Sequence, residues 1–160
     1  MNRHLFRHLK VHHDVVIEFI AVFSRLEYAL KSAGFADGGL SGVNPAWDRF
    51  ANKIHPQFKE IEDELLKEAV RVLLEEPPRK QVLIDNELSF KKQIIDINQH
   101  ETQQILKMVR TVRNNLFHGG KYCIGEETEP GRNQQLVEAS LKVLEHCYQL
   151  EEKVLISYER

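Results

Sequence analysis

Apolar residues recur every three or four positions along most of the chain, which is the spacing of amphipathic helices. The helices that this spacing predicts cover Val15–Ala33, a short segment from Trp47 to Ile54, Phe58–Leu74, a long segment from about Lys91 or Ile94 to Phe117, and about Asn133–Ile156. No segment alternates apolar and polar residues convincingly. We therefore expect an all-α fold, a bundle of four main helices plus a short extra helix, in one domain over residues 1–160.

Glycine and proline mark the expected breaks between these helices. The glycine-rich segment 34–43 is typical of a loop, and Asn44 followed by Pro45 predicts the cap and the first residue of the short helix. His55-Pro56 is expected to separate that helix from the next one. The segment 81–90 is consistent with a strand or a helical turn, and we interpret it as a turn.

Composition excludes several classes of protein. The 160 residues are 42% hydrophobic and 29% charged, which is typical of a globular domain. No apolar run approaches the roughly 18 residues of a membrane-spanning helix, and the basic N-terminus lacks the apolar core of a signal peptide. Cys123 and Cys147 are too few for a disulfide framework. We expect a soluble, cytoplasmic protein with no metal or other cofactor.

Charge is distributed unevenly along the chain. A net charge of −2 argues against a protein that coats nucleic acid without specificity. From Thr102 to Gly125, however, no acidic residue occurs, and the basic residues of this block are Lys107, Arg110, Arg113 and Lys121. Such a block permits an anionic partner, although a solvated helix face has the same composition.

The sequence RNNLFH, residues 113–118, ends the predicted long helix just before two glycines. At about 100° per residue, Asn114 and His118 lie one turn apart on the same face, and Arg110 lies one turn earlier. The apolar stripe of the helix lies roughly opposite, and Arg113 lies on the flank. Two interpretations are open here: a helix that ends in a capping histidine beside solvated polar residues, or a functional site.

These side chains suit the cleavage of RNA without a metal. Arg113 can hold a phosphate and stabilise the charge that builds on it, and His118 can exchange protons with the 2′-hydroxyl or the leaving oxygen. Asn114 can orient either group. Because one helix supplies one histidine and this cleavage works best with two proton carriers, a two-fold dimer would complete the site.

The motif RNNLFHGG, residues 113–120, resembles the arginine–polar–histidine signature of the HEPN superfamily, whose members are α-helical bundles. The segments FSRLEYALKSAGF (23–35) and WDRF (47–50), with the Pro-Pro break at 77–78, are also similar to small stand-alone HEPN proteins of bacteria and plasmids. The resemblance covers much of the chain, but only the motif is specific.

The resemblance implies a metal-independent endoribonuclease of a toxin–antitoxin or antiviral system. In such a homodimer Arg113 would bind the phosphate, His118 would act as acid and base, and Asn114 would orient them. The products would be a 2′,3′-cyclic phosphate or 3′-phosphate and a 5′-hydroxyl. We expect further RNA contacts from Lys107, Arg110 and Lys121, and an antitoxin or another regulatory protein as a possible partner. Because some HEPN proteins are non-catalytic, a module that binds nucleotide or a partner protein is the alternative.

A second histidine pattern lies at the N-terminus. His4, His8 and His12 recur every four residues, and a helix would place them on one side, where two or three could bind a transition metal. Apolar residues share the segment and no acidic or thiol ligand is spaced nearby. We therefore favour a basic N-terminal helix that packs on the bundle or touches RNA, and a metal-dependent hydrolase is a third hypothesis.

Overall fold

The computed structural model describes residues 10–118 and 131–160. Its elements in chain order are helix α1 (His13–Ser32), strands β1 (Ala36–Gly39) and β2 (Gly42–Pro45), helices α2 (Trp47–Phe58) and α3 (Glu64–Glu75), strands β3 (Lys80–Ile84) and β4 (Glu87–Lys91), helices α4 (Glu101–Phe117) and α5 (Arg132–Cys147), a 3₁₀ turn at Tyr148–Leu150, and helix α6 (Glu152–Glu159). Consecutive strands pair into two separate antiparallel hairpins.

The expectation of an all-α bundle with four main helices and one short helix is wrong, because the fold also contains two antiparallel β-hairpins. The segment 34–43 is not a simple loop: Gly38 and Gly42 have φ of +133° and +151° and belong to the first hairpin. A strand built on glycine shows no alternation of side chains, which is why the pattern concealed it. In the second hairpin Asp85 and Asn86 have φ of +51° and +64°, so the interpretation of 81–90 as a helical turn is also wrong.

The short helix α2 differs from its predicted bounds at both ends. Asn44 and Pro45 end strand β2, and the helix begins at Trp47 instead of at the proline. Pro56 does not separate two helices but lies inside the last turn of α2. Ile54 and Phe58 are both buried on either side of it, and their packing holds the last turn in helical form despite the missing N–H.

The next two helices begin later than predicted because specific side chains cap them. Helix α3 starts at Glu64 instead of Phe58, because the Asp63 carboxylate accepts the N–H groups of Leu65 and Leu66 at 2.8 and 3.0 Å. Helix α4 starts at Glu101 because His100 caps it. The last predicted helix is divided, since α5 ends at Cys147 and the 3₁₀ turn precedes α6.

Helix α4 packs against α2, α3, α5 and β3. The four residues predicted to face the core from this helix are all buried: Ile105, Val109, Val112 and Leu116. Four polar residues of the same helix are also buried: Thr102, Gln104, Thr111 and Asn115. Most of the circumference of α4 is therefore covered, and only a narrow stripe reaches the surface.

No helix within residues 10–118 and 131–160 combines the length and the apolar character that crossing a bilayer requires.

Candidate functional site

The surface stripe of α4 consists of polar residues that the sequence analysis selected. Lys107, Asn114 and His118 lie within about 40° of one another around the helix axis, and Arg110 lies about 60° from Lys107. We call these four residues the polar stripe. Asn114 and His118 are exposed, whereas Lys107 and Arg110 are half-buried. The stripe follows the only outward face of α4 and ends where the helix ends.

Arg113 lies on the flank of the polar stripe and is held by two kinds of contact. Its Nη1 donates a hydrogen bond to Asn114 Oδ1 at 3.0 Å. Its guanidinium carbon lies 4.3 Å from the ring centre of Phe117 and 5.5 Å from that of Phe23. Its Nε is enclosed and has no hydrogen-bond partner among the described residues. Both aromatic rings thus lie against the guanidinium, and donors remain for an anion.

His118 follows the last residue of α4. Its backbone N–H donates to the Asn114 carbonyl at 2.9 Å, so the backbone itself closes this end of the helix. The imidazole is exposed, and no residue that the structure describes makes a hydrogen bond to it. The sequence left two interpretations open, a capping histidine or a functional site. The cap is made by the backbone alone, so the imidazole stays accessible to a substrate.

Arg110 has acidic neighbours that the sequence analysis did not find. Its Nη2 lies 3.7 Å from Asp48 Oδ1 in α2, and Glu27 in α1 accepts a hydrogen bond from Trp47 Nε1 at 3.4 Å. Burial lowers the pKa of Arg110, while the carboxylates of Asp48 and Glu27 act in the opposite direction. Both acids lie in the segments FSRLEYALKSAGF and WDRF, but their proximity to α4 could not be inferred from the chain alone. They offset part of the charge that Arg110 could offer to RNA.

The structure thus brings Arg113 and Asn114 into direct contact and places His118 one turn further along. Lys107 and Arg110 extend the same surface toward the start of the helix. Lys121 lies outside the described residues, as do His4 and His8, so the structure places none of these three. His12 precedes α1, and its N–H donates to Gln134 Oε1 at 2.8 Å. In the described part of the chain no three His, Cys, Asp or Glu side chains converge on a possible metal position.

A pair of stacked histidines at the start of α4 was also missed. The rings of His55 and His100 are 4.1 Å apart at an angle of 15°. His55 Nδ1 forms a hydrogen bond with Thr102 Oγ1 at 2.8 Å, and His100 Nε2 donates to Asn52 Oδ1 at 2.6 Å. Burial and the neighbouring His55 both lower the pKa of His100. No signal in the sequence could have paired two histidines that are 45 positions apart, one inside α2 and one just before α4.

Comparison with known proteins adds no relative: no protein-family model matches the chain, and no curated protein or solved structure does so either. The likeness to HEPN proteins therefore rests on the motif at 113–120 and the segments quoted with it, and it stays a prediction.

Proposed function

We propose that the protein is a metal-independent endoribonuclease that cleaves RNA in a groove between two copies of the chain. One observation carries this proposal: the hydrogen-bonded pair of Arg113 and Asn114 lies one turn before the exposed imidazole of His118. An orienting amide and a proton carrier therefore share the outward face of α4, and a phosphate-binding group lies on its flank. Glu101, the first residue of α4, is the one acidic residue of this helix, so no acid lies on that face next to His118.

The chemistry follows from these side chains. The 2′-oxygen attacks the adjacent phosphorus, the bond from phosphorus to the 5′-oxygen breaks, and a 2′,3′-cyclic phosphate and a 5′-hydroxyl result. His118 of one copy accepts the 2′-hydroxyl proton, and His118 of the second copy donates a proton to the leaving oxygen. Arg113 stabilises the negative charge that develops on the phosphate, and Asn114 fixes the guanidinium by the 3.0 Å hydrogen bond.

The proposal also includes the cellular compartment of the protein and its regulation. RNA is the substrate, so we assign the protein to the cytoplasm. A ribonuclease without strong sequence selection would damage its own cell, so a neutralising antitoxin or another regulatory protein is part of the proposal. Lys107 and Arg110 would contact the RNA backbone along the polar stripe, with the charge of Arg110 partly offset by Asp48.

The test is cleavage of a single-stranded RNA panel by the purified protein in EDTA. We expect the wild type to cut and His118→Ala to lose at least about 100-fold in rate, because the proton carrier is removed. Arg113→Lys is the better probe of the arginine than alanine, since it keeps the charge and removes the planar donor set. Product ends should carry cyclic phosphate.

His13→Ala is the matched control, because His13 is an exposed histidine at the start of α1 and takes no part in the polar stripe. Cleavage by this variant should equal that of the wild type. Undiminished cleavage by His118→Ala would overturn the assigned mechanism. A well-folded dimer that cuts no RNA in the panel would overturn the ribonuclease proposal for these substrates.

A second function is favoured by the aromatic residue next to the histidine. The ring of Phe117 is 51% exposed, and the Arg113 guanidinium lies 4.3 Å from its centre. An exposed ring beside a cation suits the stacking of a nucleobase with its phosphate nearby. A non-catalytic module that binds nucleotide, or a partner protein, through this surface is therefore the alternative. Saturable nucleotide binding that Phe117→Ala weakens, without any cleavage, would select it.

A further inference from the structure

In the second hairpin, the outer edge of β4 has no strand beside it among the described residues. Strand β4 pairs with β3, and β3 is the strand that lies beside α4. The base of the hairpin is fixed to that helix, because Asn115 Nδ2 donates to the Arg79 carbonyl at 2.9 Å. Among the described residues, no backbone hydrogen bond reaches β4 from outside the hairpin. An edge strand of this kind can accept another strand.

The turn determines which backbone groups are available on that edge. Asp85 and Asn86 both have positive φ and form a two-residue turn, so Ile84 and Glu87 are the hydrogen-bonded pair that closes it. Hydrogen-bonded and non-hydrogen-bonded pairs alternate along an antiparallel ladder. Ser89 therefore points its N–H and C=O toward β3. The N–H and C=O groups of Leu88 and Phe90 point to the free edge.

The sequence of β4, ELSFK, is complementary to itself in the antiparallel direction. If a two-fold axis passes beside Ser89, Leu88 of one copy lies opposite Phe90 of the other, and both present free backbone groups. The same register places Glu87 opposite Lys91 at each end of the strand. The direction of the free backbone groups, the charges and the apolar side chains are all compatible with this register.

We infer that β4 is a homodimerisation strand and that its occupant is β4 of a second copy of this chain. Pairing forms four backbone hydrogen bonds between Leu88 and Phe90 of the two copies and makes one four-stranded sheet in the order β3-β4-β4-β3. The contact is isologous, because each copy offers the same surface.

A like-charge contact within one copy supports the same partner. In the hairpin Lys80 lies directly opposite Lys91, an arrangement that destabilises an isolated pair of strands. In the dimer, Glu87 of the second copy lies on the other side of Lys91 and offsets that repulsion. The acid at the tip of each hairpin therefore meets the lysines at the base of the other.

Exposed apolar residues are concentrated around this strand. Of the 13 large hydrophobic residues that are exposed in the described chain, six lie within positions 83–97: Leu83, Ile84, Leu88, Ile94, Ile95 and Ile97. A two-stranded hairpin alone is marginally stable in water, whereas a four-stranded sheet with an apolar face is not. Pairing supplies the missing strands and brings this apolar surface next to its copy.

The test is the self-association of charge-reversal variants, measured by sedimentation equilibrium. Glu87→Lys and Lys91→Glu each turn two attractive contacts per dimer into repulsive ones, and we expect each to raise the dimer dissociation constant about tenfold or more. The double variant E87K/K91E exchanges the charges and should restore the dimer. A mixture of the two single variants should form a heterodimer, because one strand then carries two positive charges and the other two negative charges.

Lys92→Glu is the matched control for Lys91→Glu, since it makes the same change in net charge at an exposed neighbour that lies opposite Asn86 in this register. It should associate like the wild type, and circular dichroism should show that all variants keep their helices. A wild type that stays monomeric at every concentration would overturn the inference. So would a dimer whose dissociation constant does not change in the two single variants.

The inference does not depend on the proposed function. Glu87, Lys91 and Lys92 lie on the hairpin and not among the residues assigned to RNA cleavage. Loss of self-association in Glu87→Lys tests the strand contact, whereas loss of cleavage in His118→Ala tests the chemistry. Loss of the strand contact in a protein that still dimerises and cleaves RNA would overturn only the inference, whereas a monomeric wild type would contradict both proposals.

Discussion

At the start of α4, His100 and Thr102 are bound to side chains of α2, whereas at the end of the helix Asn114 and His118 face outward. The first end is stabilised by contacts between helices. At the second end, the inner face is held by Asn115, which donates to the Arg79 carbonyl, whereas Arg113 and the outward residues make their contacts within one turn of α4 and with Phe23. This difference implies a division of roles along a single helix. Substitutions at the start should change the free energy of unfolding, and substitutions at the end should change function at nearly constant stability.

The largest effect on stability is expected in the buried first half of α4. Leu106 is 1% exposed, and Leu106→Ala should lower the free energy of unfolding by about 2–5 kcal/mol, because it removes buried methyl groups and leaves a cavity. Urea denaturation followed by circular dichroism measures this change. The neighbouring Lys107→Ala, on the polar stripe, should stay within about 0.5 kcal/mol of the wild type.

A smaller loss is expected for the hydrogen bond between Thr102 and His55. Thr102→Val keeps the shape of the side chain but removes the hydroxyl that lies 2.8 Å from His55 Nδ1, and the ring nitrogen loses its partner. We expect a loss of about 1–3 kcal/mol in the free energy of unfolding. Thr102→Ser, which keeps the hydroxyl, should lose less. Equal losses in both variants would show that the methyl group, and not the hydrogen bond, matters here.

The stacked histidines should make stability depend on pH. Since the pKa of His100 is lowered in the folded protein, the unfolded chain binds more protons as pH falls through about 6.5, and stability should decrease below that value and be fully present above it. His100→Asn keeps a helix-capping side chain that does not titrate. Melting temperatures at pH 7.5 and 5.5 should differ less in this variant than in the wild type.

The smallest effect on stability is expected at the end of α4. His118→Ala should change the free energy of unfolding by less than about 0.5 kcal/mol, because the backbone and not the imidazole closes the helix. The same urea titration measures it. Arg113→Ala should cost more than this, since the guanidinium packs on Phe23 and Phe117. A large loss in His118→Ala would contradict the division of roles along α4.

The sequence allowed the helical core to be predicted better than the connections. The buried positions of α4 from Ile105 to Leu116 follow from helical spacing, because one apolar face decides them. The two hairpins could not be predicted from the spacing of apolar residues. One is built on glycines without side-chain alternation, and the other depends on positive φ at Asp85 and Asn86, which tolerate it without being glycine.

The candidate site shows the same limit. The placement of Asn114 and His118 on one face, with Arg113 on the flank, is a local property of one helix, and helical spacing predicts it. The approach of Asp48 to Arg110 depends on how α2 packs against α4, and no local pattern contains that information. The pairing of Asp63 with Lys142 and His146, which ties the cap of α3 to α5, is another contact of this kind.

The fluorescence of Trp47 can report on binding at the candidate site. It is the single tryptophan of the chain, its ring centre lies 5.3 Å from that of Phe23, and its indole N–H donates to Glu27. Phe23 in turn packs under Arg113, and Asp48 beside the tryptophan contacts Arg110. An anion that draws either arginine outward changes the charges around the indole. Its fluorescence emission should therefore shift on binding, without any attached dye.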